Sequence, residues 1–269
     1  MKNSNKLLLN LFSLGVIITS VTACSDDNSS ITEVVIDEEL IDNGETVDVL
    51  HTAFEEFDTE NVEISLSEDG TEYIITSTGR PNHVTTYYPE DNELYEYEPD
   101  VVHTGEAEGE LTRINDDGDY EVTIVVDATP NLSGVSVETE INEIGIAVSG
   151  GYIYNNLEGP VELTEQTAET LDYTGGHIGP SNYHYHLEPH AFSSDDANLV
   201  GILLDGVFIY GRKCTSTGTY PTDLDTSGGH VSTTDYTNDE EEYHYHIKNE
   251  PFFDGTDDYL VFEGPYLGY

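Results

Sequence analysis

The sequence predicts an all-β protein, a sandwich or distorted barrel, containing an internal duplication of a hairpin–loop–histidine-strand unit. Three observations predict it. Short segments rich in Val, Ile, Thr and Tyr are bounded by Gly- and Asp-containing turns. Almost nothing carries the 3.6-residue period of an amphipathic helix. A three-part pattern also recurs in one order in the C-terminal half.

The chain opens on a targeting segment. Lys2 and Lys6 form a basic start, and Leu7–Val21 an apolar run too short to span a bilayer. Val21-Thr22-Ala23-Cys24 resembles a lipobox, so residues 1–23 are expected to be removed and Cys24 lipidated. A multiply acylated cysteine anchors stably where one chain does not. Ser25-Asp26-Asp27 resembles a signal that sorts lipoproteins to the outer face of an outer membrane, and this predicts exposure at the cell surface. Residues 24–48 have no clear period and are rich in acidic and hydroxyl side chains, as a tether would be.

Residues 49–269 are expected to form one β domain, with an N-terminal portion at 49–143 and the duplication at 144–269. Phe54-Glu55-Glu56-Phe57 is the best helical turn. Val62–Leu66 and Thr71–Thr76, joined through Glu68-Asp69-Gly70, predict a hairpin. Leu111–Ile114 and Tyr120–Val126, joined through Asn115–Asp119, predict a second. That acidic turn also has the composition of a calcium loop, although a hairpin turn is the simpler explanation.

In the duplication, Ile144–Tyr154 aligns with Val200–Tyr210. Leu171-Asp172 before Gly175-Gly176-His177 aligns with Leu224-Asp225 before Gly228-Gly229-His230. Tyr183-His184-Tyr185-His186 recurs as Tyr243-His244-Tyr245-His246. On a strand, the two histidines of each copy share one face and the tyrosines take the other. Two imidazoles so placed suit a metal ion, and the Gly-Gly-His loop offers a third. His177, His184, His186, His230, His244 and His246 are therefore the candidate ligands, with His83 as a possible addition. Asp172 and Asp225 are candidates to orient a ligating ring. Spacing leaves open whether two separate sites form or one shared centre. His190 lacks a counterpart in the second copy, and His51 and His103 are expected at the surface. Asp205 is explained by its Asp-Gly turn, since Ser149 stands at its repeat position.

Composition narrows the chemistry. The formal charge is −48, which excludes nucleic acid and anionic membrane surfaces as partners. The single Met is Met1, which rules out a Met-ligated copper centre. Cys214 has no disulfide partner and is expected to be an incidental exposed thiol.

Gly175-Gly176-His177, Tyr183–His186, Gly201–Gly211, Gly228-Gly229-His230 and Tyr243–His246 together resemble the YHYH domain family of extracytoplasmic proteins. Gly79–His83 and Ile144–Tyr154 extend the likeness to roughly residues 60–269. The resemblance implies that the histidines act together and carries no settled activity with it.

The function expected is a surface-anchored lipoprotein that binds a divalent transition metal, copper or zinc, for capture, storage or sensing. One alternative is a hydrolase or hydratase using a metal-bound water on three histidines. Another is an adhesion or matrix-binding protein whose histidines are structural. Beyond the membrane anchor and a metal ion, the sequence names no partner.

Overall fold

The computed structural model describes residues 47–269 apart from 107, 108, 110, 116, 117, 119, 180 and 181. The targeting segment, Cys24, the tether up to residue 46 and much of the Asn115–Asp119 turn lie outside the described residues.

Thr52–Glu56 forms a short 3-10 turn at the expected place, capped by the His51 ring, which accepts from Ala53 N at 3.2 Å. The first hairpin follows as β1 (Val62–Leu66) and β2 (Glu72–Ser77), with Gly70 supplying the left-handed backbone of its turn at φ 73°. The second predicted hairpin does not form. β3 (Val122–Asp127) pairs antiparallel with β2 across a long connection, while Ile114 N donates to Tyr87 O in an irregular segment. Local alternation shows that a strand exists but not which strand it pairs with.

The duplicated portion supplies β4 (Gly145–Ala147), β5 (Tyr152–Ile153), and a small ribbon of β6 (Leu157–Glu158) and β7 (Val161–Glu162). A single helical turn, α1 (Glu165–Ala168), leads into β8 (Gly176–Ile178) and β9 (Tyr183–Tyr185). Then come β10 (Leu199–Leu203), β11 (Phe208–Tyr210), β12 (Gly229–Ser232) and β13 (Glu242–His246).

Eight of these strands make one sheet in the order β12-β13-β11-β10-β4-β5-β9-β8. The order is a near-palindrome of the duplication. β10 and β4 pair antiparallel at the centre, and each carries its hairpin partner outward. Next on either side is a parallel Tyr-His-Tyr-His strand, then an antiparallel Gly-Gly-His strand at the edge.

The alternation of side chains builds two cores. Ile146, Tyr152, Ile202 and Phe208 face β1–β3, packing with Tyr73, Ile75, Ile124 and the Phe54–Phe57 turn. Ala147, Ile153, Leu203 and Ile209 face the other way, with Tyr185, Tyr245, Tyr87 and Phe262. The fold is thus nearly all β and sandwich-like, and its sheets are not closed into a barrel. The described residues belong to one compact unit, and no helix among them is long and apolar enough to cross a membrane.

Candidate metal centres

The Gly-Gly-His turn and the Tyr-His-Tyr-His strand are built for one another. Gly175 and Gly228 take φ 74° and 83°, which lets the chain reverse into the edge strand. A Cβ on Gly176 would lie 2.6 Å from Tyr183 Oη, and one on Gly229 would lie 2.4 Å from Tyr243 Cζ. The second glycine is therefore required because a tyrosine of the neighbouring strand covers it. This packing sets the register that puts His177 opposite His184, and His230 opposite His244.

In the first half, His177 Nε2 lies 3.1 Å from His184 Nε2, which lies 3.1 Å from His186 Nε2. A fourth atom closes the group. Glu158 Oε2, on β6, is 3.0 Å from His186 Nε2 and 3.3 Å from His177 Nε2. A tetrahedral ion with metal–nitrogen bonds of about 2.0–2.1 Å separates its ligand atoms by about 3.3 Å. Four of the six separations lie near that figure, and all four atoms lie within 4.8 Å of one another, so they surround a common centre without forming a regular tetrahedron.

The distances alone would also suit ordinary hydrogen bonds, but the outer ring nitrogens argue otherwise. His184 Nδ1 donates to Asn182 O at 3.2 Å, and His186 Nδ1 to Asn155 O at 2.7 Å. His177 Nδ1 lies 2.7 Å from Thr170 Oγ1, whose own proton goes to Thr167 O. Each imidazole therefore carries its proton on Nδ1, and three Nε2 lone pairs converge beside a carboxylate. A positive charge at its centre would satisfy such a cluster. Burial pushes His177 down and His184 well down from the usual imidazole range, which disfavours protonation. Contacts from His177 and then His186 hold Glu158 below the usual carboxylate range, as neighbouring positive charge would. One proton bridges only two of the four atoms, whereas a metal ion at their centre would contact all four.

The second half repeats the arrangement. His230, His244 and His246 have ring centroids 4.9–5.1 Å apart, against 4.7–5.4 Å in the first half. Their Nδ1 atoms face Asp223 Oδ1 at 3.0 Å, Glu242 O at 3.0 Å and Gly211 O at 2.7 Å. These acceptors sit at the repeat positions of Thr170, Asn182 and Asn155. The inner Nε2 of His246 is buried with no hydrogen-bond partner. Burial first, then neighbouring groups, brings His244 down to about 3 and His246 to about 4, so both stay neutral and ready to ligate. The fourth donor is Cys214, whose Sγ lies with the three imidazoles inside a 4.8 Å group.

The two groups are separate. Five strand spacings part β13 from β9 along the sheet, roughly 24 Å at the usual strand separation. One shared centre is therefore excluded by the topology.

Other expected residues lie elsewhere. His83 is on the tyrosine side, with Nε2 2.6 Å from Tyr185 Oη and Nδ1 2.8 Å from Val84 O, and belongs to neither cluster. Asp172 and Asp225 do not touch the ligating rings. Asp172 accepts from Tyr183 Oη at 2.6 Å, and Asp225 from Tyr243 Oη at 2.8 Å, while each also caps its own Gly-Gly turn. The residues backing the imidazoles of the edge strands are instead Thr170 and Asp223. His190 is exposed. His51 and His103 are half-buried rather than at the surface, held by Glu242 at 3.0 Å and Thr86 Oγ1 at 2.6 Å.

Two expectations are overturned by the repeat itself. Ser149 and Asp205 do share a role: Ser149 Oγ meets Tyr185 Oη at 2.7 Å, and Asp205 Oδ2 accepts from Tyr245 Oη at 2.6 Å. Cys214 is fully buried rather than exposed. Extending the Ile144–Tyr154 alignment four residues without a gap places Glu158 against Cys214, a signal present in the sequence that passes unnoticed without the geometry.

Neither a curated protein sequence nor a solved structure matches this chain. A family model described as YHYH protein matches residues 121–223, which enclose the whole first cluster and Cys214 and stop before His230, His244 and His246. That match supports the likeness to the YHYH family over those residues.

Proposed function

We propose that this protein binds divalent transition metal ions, copper or zinc, at two mononuclear sites, and that it captures, stores or senses them at the cell surface. The observation that carries the proposal is the convergence of three Nε2 atoms and a carboxylate oxygen, all within 4.8 Å of one another. A buried lone-pair cluster of this kind is costly unless a cation fills it. The outer nitrogens are oriented by carbonyl, hydroxyl and carboxylate partners, the usual support of a metal-ligating histidine.

Four protein donors at each site favour retention over catalysis. Structural metal sites characteristically fill four positions with protein donors, whereas hydrolytic sites keep one for water. The strongly acidic surface would concentrate cations around the molecule. An anchor at Cys24, followed by the acidic tether, would hold the domain outside the membrane.

Element analysis of the purified full chain tests this. Two ions per chain are expected, falling to one in His184→Ala/His186→Ala and to one in His244→Ala/His246→Ala. Metal content near zero in the native chain, or unchanged in both variants, refutes it.

A further inference from the structure

The two sites differ at one equivalent donor, and the difference concerns the kind of ion. Glu158 and Cys214 each lie four residues beyond an aligned tyrosine, Tyr154 or Tyr210. Each reaches its three histidines from a short antiparallel ribbon, β6–β7 in the first half and the Cys214–Thr219 bridge in the second. The imidazole triangles are nearly the same, so the fourth donor sets the preference.

Three further differences accompany that change. Glu158 is half-buried whereas Cys214 is fully enclosed. Ser216 Oγ lies 3.1 Å from Cys214 Sγ and is able to donate to a thiolate, while Ser232 Oγ lies 3.2 Å from the sulfur and 3.3 Å from His230 Nε2. At the repeat position of Ser232 the first half has Gly179, where any Cβ would lie 2.7 Å from His184 Cε1. Finally, the edge-strand imidazole is backed by neutral Thr170 in one site and by the Asp223 carboxylate in the other. A divalent ion in the Cys214 site would thus meet an enclosed thiolate, with the exposed Asp223 carboxylate behind the His230 ring.

On the reading that both clusters bind metal, we propose that the sites are selective for different ions. The His177–His184–His186–Glu158 site takes zinc, and the His230–His244–His246–Cys214 site takes copper. Soft thiolate strengthens copper binding more than carboxylate does. With copper drawn to the thiolate site, the nitrogen-and-oxygen set is left to zinc, which takes imidazole and carboxylate ligands readily. On loading, Cys214 gives up its thiol proton to solvent and its sulfur lone pair forms the bond to copper. No oxidant is required.

The test supplies the metal-free full chain with one equivalent each of copper(II) and zinc(II), then measures X-ray absorption at both metal edges. This technique detects a sulfur neighbour in either copper oxidation state. Copper is expected to show one sulfur and zinc none. In Cys214→Ser, copper is expected to lose its sulfur neighbour and to bind at least about tenfold more weakly. Glu158→Gln should weaken zinc and leave the copper spectrum unchanged. Two bound ions with no sulfur at copper, or sulfur at zinc, overturn the selectivity while leaving metal binding intact. Retention of neither metal overturns the proposed function and this inference together. If Cys214→Ser does not fold, the native spectra alone decide.

Discussion

The Nε2 atoms of His184 and His186 face each other at 3.1 Å, although both rings donate their Nδ1 protons to backbone carbonyls. No hydrogen bond can join them in that state. With the rings held by the strand and by Asn182 and Asn155, a cation between them would turn this lone-pair contact into a shared ligation.

Metal should therefore be a large part of the stability. An ion present at about a hundred times its Kd adds about 2.7 kcal/mol per site. For a domain of this size that is roughly 5–10 °C in Tm. Calorimetry before and after chelation should show the drop, and His184→Ala/His186→Ala should lose the part that belongs to the first site. A Tm unmoved by chelator would count against metal occupancy.

The glycines beneath the tyrosines should be unequal. Tyr183 is fully buried and cannot swing away from a new Cβ at Gly176, whereas half-buried Tyr243 has more room above Gly229. Gly176→Ala is expected to cost about 1–3 kcal/mol as overpacking, and Gly229→Ala less. Denaturant unfolding of the two variants measures the difference. Equal costs would show that the tyrosine contact does not set the turn.

The tyrosine–acceptor pairs should also differ between halves. Tyr245→Phe takes a donor from a buried carboxylate, since burial already raises Asp205 above its usual range. A cost of about 1.5–3 kcal/mol is expected. Ser149→Ala removes a neutral partner of Tyr185, which keeps its contact with His83, and should cost about 1 kcal/mol or less. The same unfolding experiment compares them.

Glu98 predicts a pH dependence away from the clusters. Burial, then the charge of Asp172, raises its carboxyl to about 7. Folded protein thus binds this proton more tightly than unfolded chain does, so stability falls as pH rises from about 4.5 to 7 and is level above that. Glu98→Gln should remove this slope and be the more stable form at pH 8. Because the group is only half-buried, a gain of about 1 kcal/mol is expected rather than the full shift. Parallel stability curves for the two proteins from pH 4.5 to 8 would contradict the assignment.

What was legible in the sequence follows from how local each geometry is. His184 and His186 share a face because strand alternation compels it, and Gly-Gly-His177 is bound to the same strand by its turn. The β1–β2 hairpin was legible for the same reason. β3 was misplaced because its partner, β2, is set by a long connection rather than by a neighbouring turn. Glu158 and Cys214 reach the histidines through tertiary placement of a ribbon, so neither is evident from the histidine spacing. Asp172 and Asp225 have the composition of ligand-orienting groups, but the Gly-Gly turn folds each back onto a tyrosine hydroxyl.

The most direct measurement is a crystal structure of zinc-soaked protein, with anomalous scattering recorded at the zinc edge. Two peaks are expected, one inside the His177–His184–His186 triangle and one inside the His230–His244–His246 triangle, each about 2.0–2.1 Å from three Nε2 atoms. Peaks confined to surface carboxylates, with both triangles empty and their rings turned apart, would contradict the account.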